Sequence, residues 1–238
     1  MKFNLRHLFV GFLFLGTVAI AQEVMSVNAK EFKELLISEQ GILLDVRTPK
    51  ETSLGQLENA STLNFYDTDF ESKLRLIQKD KTVFVYCRSG GRSAKAANIL
   101  IAQGQVKVYN LQGGMGAWLD KGFPITNAIS NVDLHIKSLT TTEFNSIIST
   151  NNMVLVDFHT QWCVPCKKLV PIIEDLEVEL KDAISFLRID VDASKALSDE
   201  YEIVAVPTLV LFKNGKIVWR HAGLITKTEL LAVISKNR

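Results

Sequence analysis

The chain has three cysteines, and each sits in a setting suited to sulfur chemistry. Cys87 opens the run Cys87-Arg88-Ser89-Gly90-Gly91-Arg92-Ser93, a lone thiol among cations and glycines. Cys163 and Cys166 lie in Trp162-Cys163-Val164-Pro165-Cys166-Lys167, a vicinal dithiol. None is left over for a structural cross-link. Gly90 and Gly91 let the first loop curl so that backbone N–H groups converge. A helix starting there adds partial positive charge, and Arg88 and Arg92 add two cations. These features favour a thiolate at Cys87, an anion bound above it, and equally a persulfide Cys–S–S⁻. Arg88, Ser89, Gly90, Gly91 and Arg92 are therefore the expected substrate-binding residues. An inert buried thiol is the competing reading. In the dithiol, Cys163 at a helix N-terminus is the expected attacking thiol. Cys166, one turn in, resolves the mixed disulfide. Val164-Pro165 carries no charge to stabilise the thiolate strongly, which implies a reducing couple. A zinc site would need two more ligands, and His135, His159 and His221 are scattered.

Both motifs need strand-to-helix junctions, and the surrounding pattern provides them. In the first half, the spacing predicts helices at Glu31 to Ser38, Phe70 to Ile77 and Ser93 to Ala102. Strands are predicted at Ile42 to Val46, Thr82 to Tyr86 and Val106 to Tyr109. Cys87 thus follows a strand and precedes a helix, and the alternation implies a parallel sheet covered by helices. A polar stretch without periodicity runs from about Ile125 to Asp133. Beyond it the pattern predicts a helix at Thr142 to Ser149, a buried strand at Met153 to Phe158 and a long helix at Cys166 to Leu180. A strand at Ile184 to Asp190, a hairpin of Val206 to Phe212 with Lys216 to Arg220 across Asn214-Gly215, and a helix at Thr228 to Ile234 complete it.

These residues carry two resemblances. Leu44-Asp45-Val46-Arg47-Thr48-Pro49, the loop Cys87 to Arg92, and Leu111-Gln112-Gly113-Gly114 with Ala117-Trp118 and Gly122-Phe123-Pro124 resemble, in order, the signatures of the rhodanese family. The resemblance implies that Cys87 carries sulfane sulfur and passes it to thiophilic acceptors. The short Cys-x4-Arg spacing favours sulfur over phosphate, because the related phosphatases use a longer loop. Gly55-Gln56-Leu57-Glu58-Asn59-Ala60 departs from the family's Gly-His-Ile-Pro-Gly-Ala stretch, which affects contacts near Gln56 rather than the nucleophile. Val156-Asp157-Phe158, Trp162 to Lys167, Val206-Pro207-Thr208 and Phe212 to Lys216 resemble thioredoxin. That resemblance implies that Asp157 is a buried acid helping to deprotonate Cys166. It also implies that Pro207 is a cis proline whose loop, with Val206, pairs with substrate backbone beside Cys163. Val164 and His159 stand where thioredoxins usually have glycine and tryptophan.

The expected fold class is α/β in two domains: a rhodanese-like parallel sheet with flanking helices over 24–126, a linker at 127–131, and a thioredoxin-like mixed sheet with flanking helices over 132–238. The length of 238 residues fits two modules. A net charge of +1 argues against a nucleic-acid partner. No metal or cofactor is expected. The expected function is an exported thiol-disulfide oxidoreductase with a sulfurtransferase domain, catalytic through Cys87, Cys163, Cys166 and Asp157. Its partners would be a sulfane-sulfur donor such as thiosulfate or a persulfide, protein disulfides, and an external electron donor such as a membrane thiol transporter. The alternative is a general periplasmic disulfide reductase whose first domain only docks a partner. Export is expected because Lys2, Arg6 and His7 precede the apolar run Leu8 to Ile20 and the small-x-small site Ala19-Ile20-Ala21. An uncleaved anchor is the competing reading, though the run is short for a membrane span. N-terminal sequencing of the exported protein is expected to begin at Gln22, and a start at Met1 would overturn cleavage of residues 1–21.

Overall fold

A computed structural model describes residues 23–126 and 139–238. The expected signal segment 1–21 and linker 127–131 lie outside the described residues. The first module runs β1 (Glu23–Val27), α1 (Ala29–Ser38), β2 (Gly41–Asp45), α2 (Pro49–Thr52), β3 (Ser61–Thr62), α3 (Phe70–Arg75), β4 (Thr82–Tyr86), α4 (Gly91–Ala102), β5 (Lys107–Leu111) and α5 (Gly114–Asp120). Its five strands pair in the order β1-β5-β4-β2-β3, and every pairing is parallel. From β2 the chain continues to β3 on one side, and from β4 to β5 on the other. The carboxyl ends of β2 and β4 are therefore a topological switch point, where such sheets open a crevice. Cys87 follows β4 directly, so the fold itself puts the thiol there.

Alternation along β4 divides the core into two layers. Val83 and Val85 pack with Leu74 of α3 and Ala96, Ala97 and Leu100 of α4. Phe84 and Tyr86 pack on the other face with Phe32 of α1 and Trp118 of α5. The module closes on itself where Gln56 and Thr126 exchange backbone hydrogen bonds of 2.8 Å each. Gln56 is buried in that closure, and Asn59 takes a positive φ of 62° where the rhodanese resemblance has glycine. Asparagine tolerates the left-handed region better than other side chains.

The second module runs α6 (Thr141–Thr150), β6 (Met153–His159), α7 (Val164–Leu180), β7 (Ser185–Asp190), α8 (Lys195–Glu200), β8 (Thr208–Lys213), β9 (Lys216–Ala222) and α9 (Lys227–Asn237). Its sheet order is β7-β6-β8-β9, with β7 parallel to β6 and β8 antiparallel to both β6 and β9. Val154, Val156 and Phe158 face Phe144 and Ile148 of α6. Met153 and Leu155 face Leu169 and Ile173 of α7 and Leu230 of α9. Thr140 and Thr226 cap α6 and α9, each with a reciprocal glutamate three residues on, a device worth about 1 kcal/mol per helix.

The two modules touch. The Val164 N–H donates to Ser61 Oγ at 3.1 Å, and the Val206 N–H donates to the Leu76 carbonyl at 3.0 Å. Leu76, just past α3, packs against the apolar core of the second module, and Trp162 packs against cores of both. The contact therefore lies on the face of the second module that carries the dithiol.

Candidate functional sites: two sulfur centres

At the first centre, Cys87 is 1% exposed at the turn between β4 and α4. Gly90 caps α4 with a φ of 93°, which a side-chain-bearing residue adopts only under strain. That turn aims the Gly90 N–H at Cys87 Sγ, 3.1 Å away, and the Ser93 hydroxyl lies 3.4 Å from the same sulfur. Burial of the thiol pushes its pKa up. The Ser93 hydroxyl and the N–H groups of Ser93, Ser89 and Gly90 outweigh that burial, and the net shift is downward. The loop is held from below by Met115 and Gly116, whose N–H groups donate to the carbonyls of Cys87 and Arg88 at 2.8 and 3.1 Å. Gly114 must be glycine for that approach, since a Cβ there would overlap the Cys87 carbonyl.

The two loop arginines have different fates. Arg92 forms a bidentate pair with Glu51, at 2.8 and 2.6 Å. The Arg92 guanidinium, with help from Thr48, draws the Glu51 carboxyl down to about 2 despite partial burial. Arg92 is thus paired in place, whereas the Arg88 side chain is exposed and enters no ion pair or side-chain hydrogen bond among the described residues. Arg47 is buried against Asp45, with contacts of 2.6 to 3.0 Å, and also donates to the carbonyls of Glu51 and Gly55. A pair this buried adds little net stability, but losing one partner costs about 3–5 kcal/mol. Asp45 and Arg47 therefore fix the 45–55 segment that presents Glu51 to Arg92. The cleft over the loop, about 620 Å³, is lined by Arg47, Glu51, Leu54, Arg88, Met115 and Ile125 among others, all from the first module.

At the second centre, Cys163 and Cys166 form a disulfide with Cα atoms 5.2 Å apart. Cys163 caps α7, and the Cys166 N–H donates to its sulfur at 3.1 Å. The Val206–Pro207 peptide is cis, as the resemblance implies. Val206 belongs to the same apolar cluster as both cysteines. Asp157 lies on the α7 side of β6, in register with Arg188 of β7, and the Arg188 Nε donates to it at 3.3 Å. Its carboxyl is 1% exposed, and burial raises it to about 6 against the pull of Arg188. His159, two residues on along the same face, is fully buried and kept neutral, its pKa lowered to about 4 by burial and by Arg188. Trp162 donates from Nε1 to Asp192 at 2.9 Å, which anchors the indole beside the dithiol.

Each sequence-predicted site residue therefore lies at one of two centres: Cys87 to Arg92 at the first; Asp157, Cys163, Cys166, Val206 and Pro207 at the second. Sequence reasoning missed Glu51, the role of Ser93 as donor, the support by Met115 and Gly116, Arg188, and the covering residues Ser61 and Leu76. Only Ser93, one helical turn from Gly90, gave a local signal.

Ser93→Ala removes one donor from Cys87. The pH midpoint of Cys87 alkylation is expected to move up, and an unmoved midpoint would remove Ser93 from thiolate stabilisation. Asp157 has a folded pKa above its unfolded value, so it lowers stability as pH rises from about 4 to about 6. Asp157→Asn lacks this loss. The unfolding free energy of the variant minus that of the wild type is expected to rise by ~2 kcal/mol between pH 4 and 7, measured by denaturant titration on the oxidised proteins. A flat difference would mean that Asp157 is already ionised at low pH.

The comparisons with known proteins fall on the same two segments. The rhodanese-like domain family matches residues 28–121, and the thioredoxin family matches residues 135–236. Thioredoxin from Mycoplasmoides gallisepticum is 43% identical over 88 residues, spanning 37% of this chain and 87% of that protein. Thioredoxin from Rickettsia prowazekii is 37% identical over 103 residues, spanning 43% of this chain and 98% of that protein. Among solved structures, oxidised mitochondrial thioredoxin 3 from Saccharomyces cerevisiae is 35% identical, covers 43% of this chain and 95% of its own, and has a TM-score of 0.40. With the redox pair, the cis proline and the mixed sheet in place, the chain belongs to the thioredoxin family, as a thioredoxin-type oxidoreductase with a rhodanese-like domain ahead of it.

Proposed function

We propose that the chain is an exported enzyme with two linked sulfur activities. Cys87 takes sulfane sulfur from a donor such as thiosulfate, and the Cys163/Cys166 dithiol reduces the resulting persulfide or other disulfides. The observation that supports this most is shared by both centres: a backbone N–H three residues on points at the reactive sulfur, at 3.1 Å in each. In the loading step, the Cys87 thiolate attacks the outer sulfur of thiosulfate, a Cys87–S–S⁻ persulfide forms, and sulfite leaves. In the reducing step, the Cys163 thiolate attacks the outer sulfur and Cys87 leaves as thiolate. Cys166 then attacks Cys163, hydrosulfide leaves, and the pair is oxidised to the disulfide. An external dithiol donor must re-reduce it, as for any exported reductase.

A second reading is supported by the cleft over the loop that follows Cys87, lined by the first module alone. There the two centres serve separate partners, and the first module hands its sulfur to another molecule.

Fully reduced protein, freed of reductant, is given thiosulfate and followed by intact mass and sulfide release. The first reading expects one sulfur atom gained at Cys87, absent in Cys87→Ser, and sulfide released by the wild type but not by Cys163→Ser. Sulfide release unchanged in Cys163→Ser would leave only the second reading. Absence of the mass gain in the wild type would remove both.

A further inference from the structure

A disulfide-exchange partner has to bring its own sulfur up to Cys163, and the described arrangement leaves no room for it. Cys163 is 2% exposed, although it lies at the first residue before α7, where a thiol would otherwise face solvent. The first module packs against the residues around it. Ser61, on the edge strand β3, accepts the Val164 N–H. The Leu76 carbonyl accepts the Val206 N–H, the backbone donor directly before the cis proline. The Leu76 side chain packs against the core cluster that contains Cys163, Cys166 and Val206 rather than against its own module. Gln78 lies over Gly223, where even a Cβ would overlap its side-chain amide. Gly223 in turn donates to the Pro207 carbonyl at 2.8 Å. Lys73 on α3 is close enough to Asp192 for each to shift the other's charge toward ionisation, and Asp192 holds Trp162. Both orphan backbone donors beside the disulfide, an apolar pocket and an acidic group thus have partners from one short stretch of the same chain.

We propose that residues 61–78 of the rhodanese-like module are a resident ligand of the dithiol face. They hold the pair, oxidised here, in a capped form that an external thiol must displace to reduce it and that a protein disulfide must displace to reach the reduced Cys163. The contacts also define the kind of partner that competes: a polypeptide segment offering a backbone carbonyl to Val206, an apolar side chain to the pocket filled by Leu76, and a basic group toward Asp192. The cleft over the Cys87 loop is lined by the first module alone and lies apart from this contact, so the cap acts on the dithiol and reduction requires opening. The inference rests on the reading of Cys163 as attacking sulfur, so docking and reduction are measured separately.

The test uses full-length protein and two variants, Lys73→Glu and Leu76→Glu, neither of them in the buried core of the first module. After reduction, peptide-resolved mass spectrometry follows alkylation of Cys163 by iodoacetamide, and insulin reduction is followed in parallel. Both variants are expected to alkylate at Cys163 about tenfold faster or more than the wild type, equivalent to ~1.4 kcal/mol of docking free energy. Insulin reduction is expected to rise with it. Thermal unfolding checks the fold, and if Leu76→Glu does not fold, Lys73→Glu decides. Folded variants that alkylate Cys163 at the wild-type rate would overturn the cap. Faster alkylation with no insulin reduction by any of the three proteins would keep the cap and remove the reductase reading.

Discussion

A thiol attacks as its thiolate, and a thiolate at the end of a buried strand needs donors aimed at it. Both modules meet that need in one way. The strand ends, the chain turns, and the N–H three residues beyond the cysteine points back at the sulfur. The surrounding folds differ in strand order and direction. What they share is a central strand running into a helix of 12 or 17 residues, so that the first free N–H groups of that helix face the sulfur. The rest of each module serves to hold that turn. In the first, Gly114 allows the next loop to come under Cys87, and the Asp45–Arg47 pair stiffens the segment that pins Arg92 through Glu51. In the second, the β6 register sets Asp157 beside Arg188 beneath α7.

The two centres are tuned by different balances. At Cys87, short-range hydrogen bonds overcome burial, and the thiol is made more acidic. At Asp157, burial overcomes the ion pair, and the acid is made weaker. A carboxyl near 6 can change protonation close to neutral pH. His159 stays neutral there, because burial and the neighbouring Arg188 lower its pKa to about 4. Arg92 shows why motif identity alone does not assign a task. It stands where the loop motif places a cation, yet its charge is spent on Glu51 and the anion-facing charge that remains is Arg88.

Local pattern made much of the fold readable. The strand at Thr82–Tyr86 is bounded as the β-rich run and the following cysteine imply, and the helix predicted from Ser93 begins only two residues earlier, at Gly91. The long helix predicted from Cys166 starts at Val164, since Pro165 fits a first-turn position that has no hydrogen bond to lose. Elements too short to show a period were not readable: β3 has two residues and α2 has four. The first strand, Glu23–Val27, is too close to the apolar run Leu8 to Ile20 to stand out. Contacts set by tertiary approach were not readable either. Glu51 meets Arg92 across 41 residues, and Ser61 meets Val164 across 103. The sequence brought both sulfur centres into view but not what lies against them, because no periodicity encodes which edge of one sheet packs on which face of another.

The described contact between modules has two backbone-donated hydrogen bonds, Leu76, Trp162, Gln78 over Gly223 and the neighbouring charges of Lys73 and Asp192. Small contacts of this sort bind weakly between separate proteins. Here the partners share one chain, and a short tether supplies an effective concentration on the order of millimolar. A contact with a dissociation constant near 0.1 mM, about 5.5 kcal/mol, would then be closed roughly nine-tenths of the time, which matches a gain of about tenfold in Cys163 reactivity on opening. In that range a modest gain or loss at the interface moves the equilibrium, while a partner of micromolar affinity displaces the cap outright. Doubling the tether would change closure by only about 0.6 kcal/mol. The balance is therefore written mainly in the few side chains at the contact, Ser61, Lys73 and Leu76, rather than in the length of the segment that joins the modules.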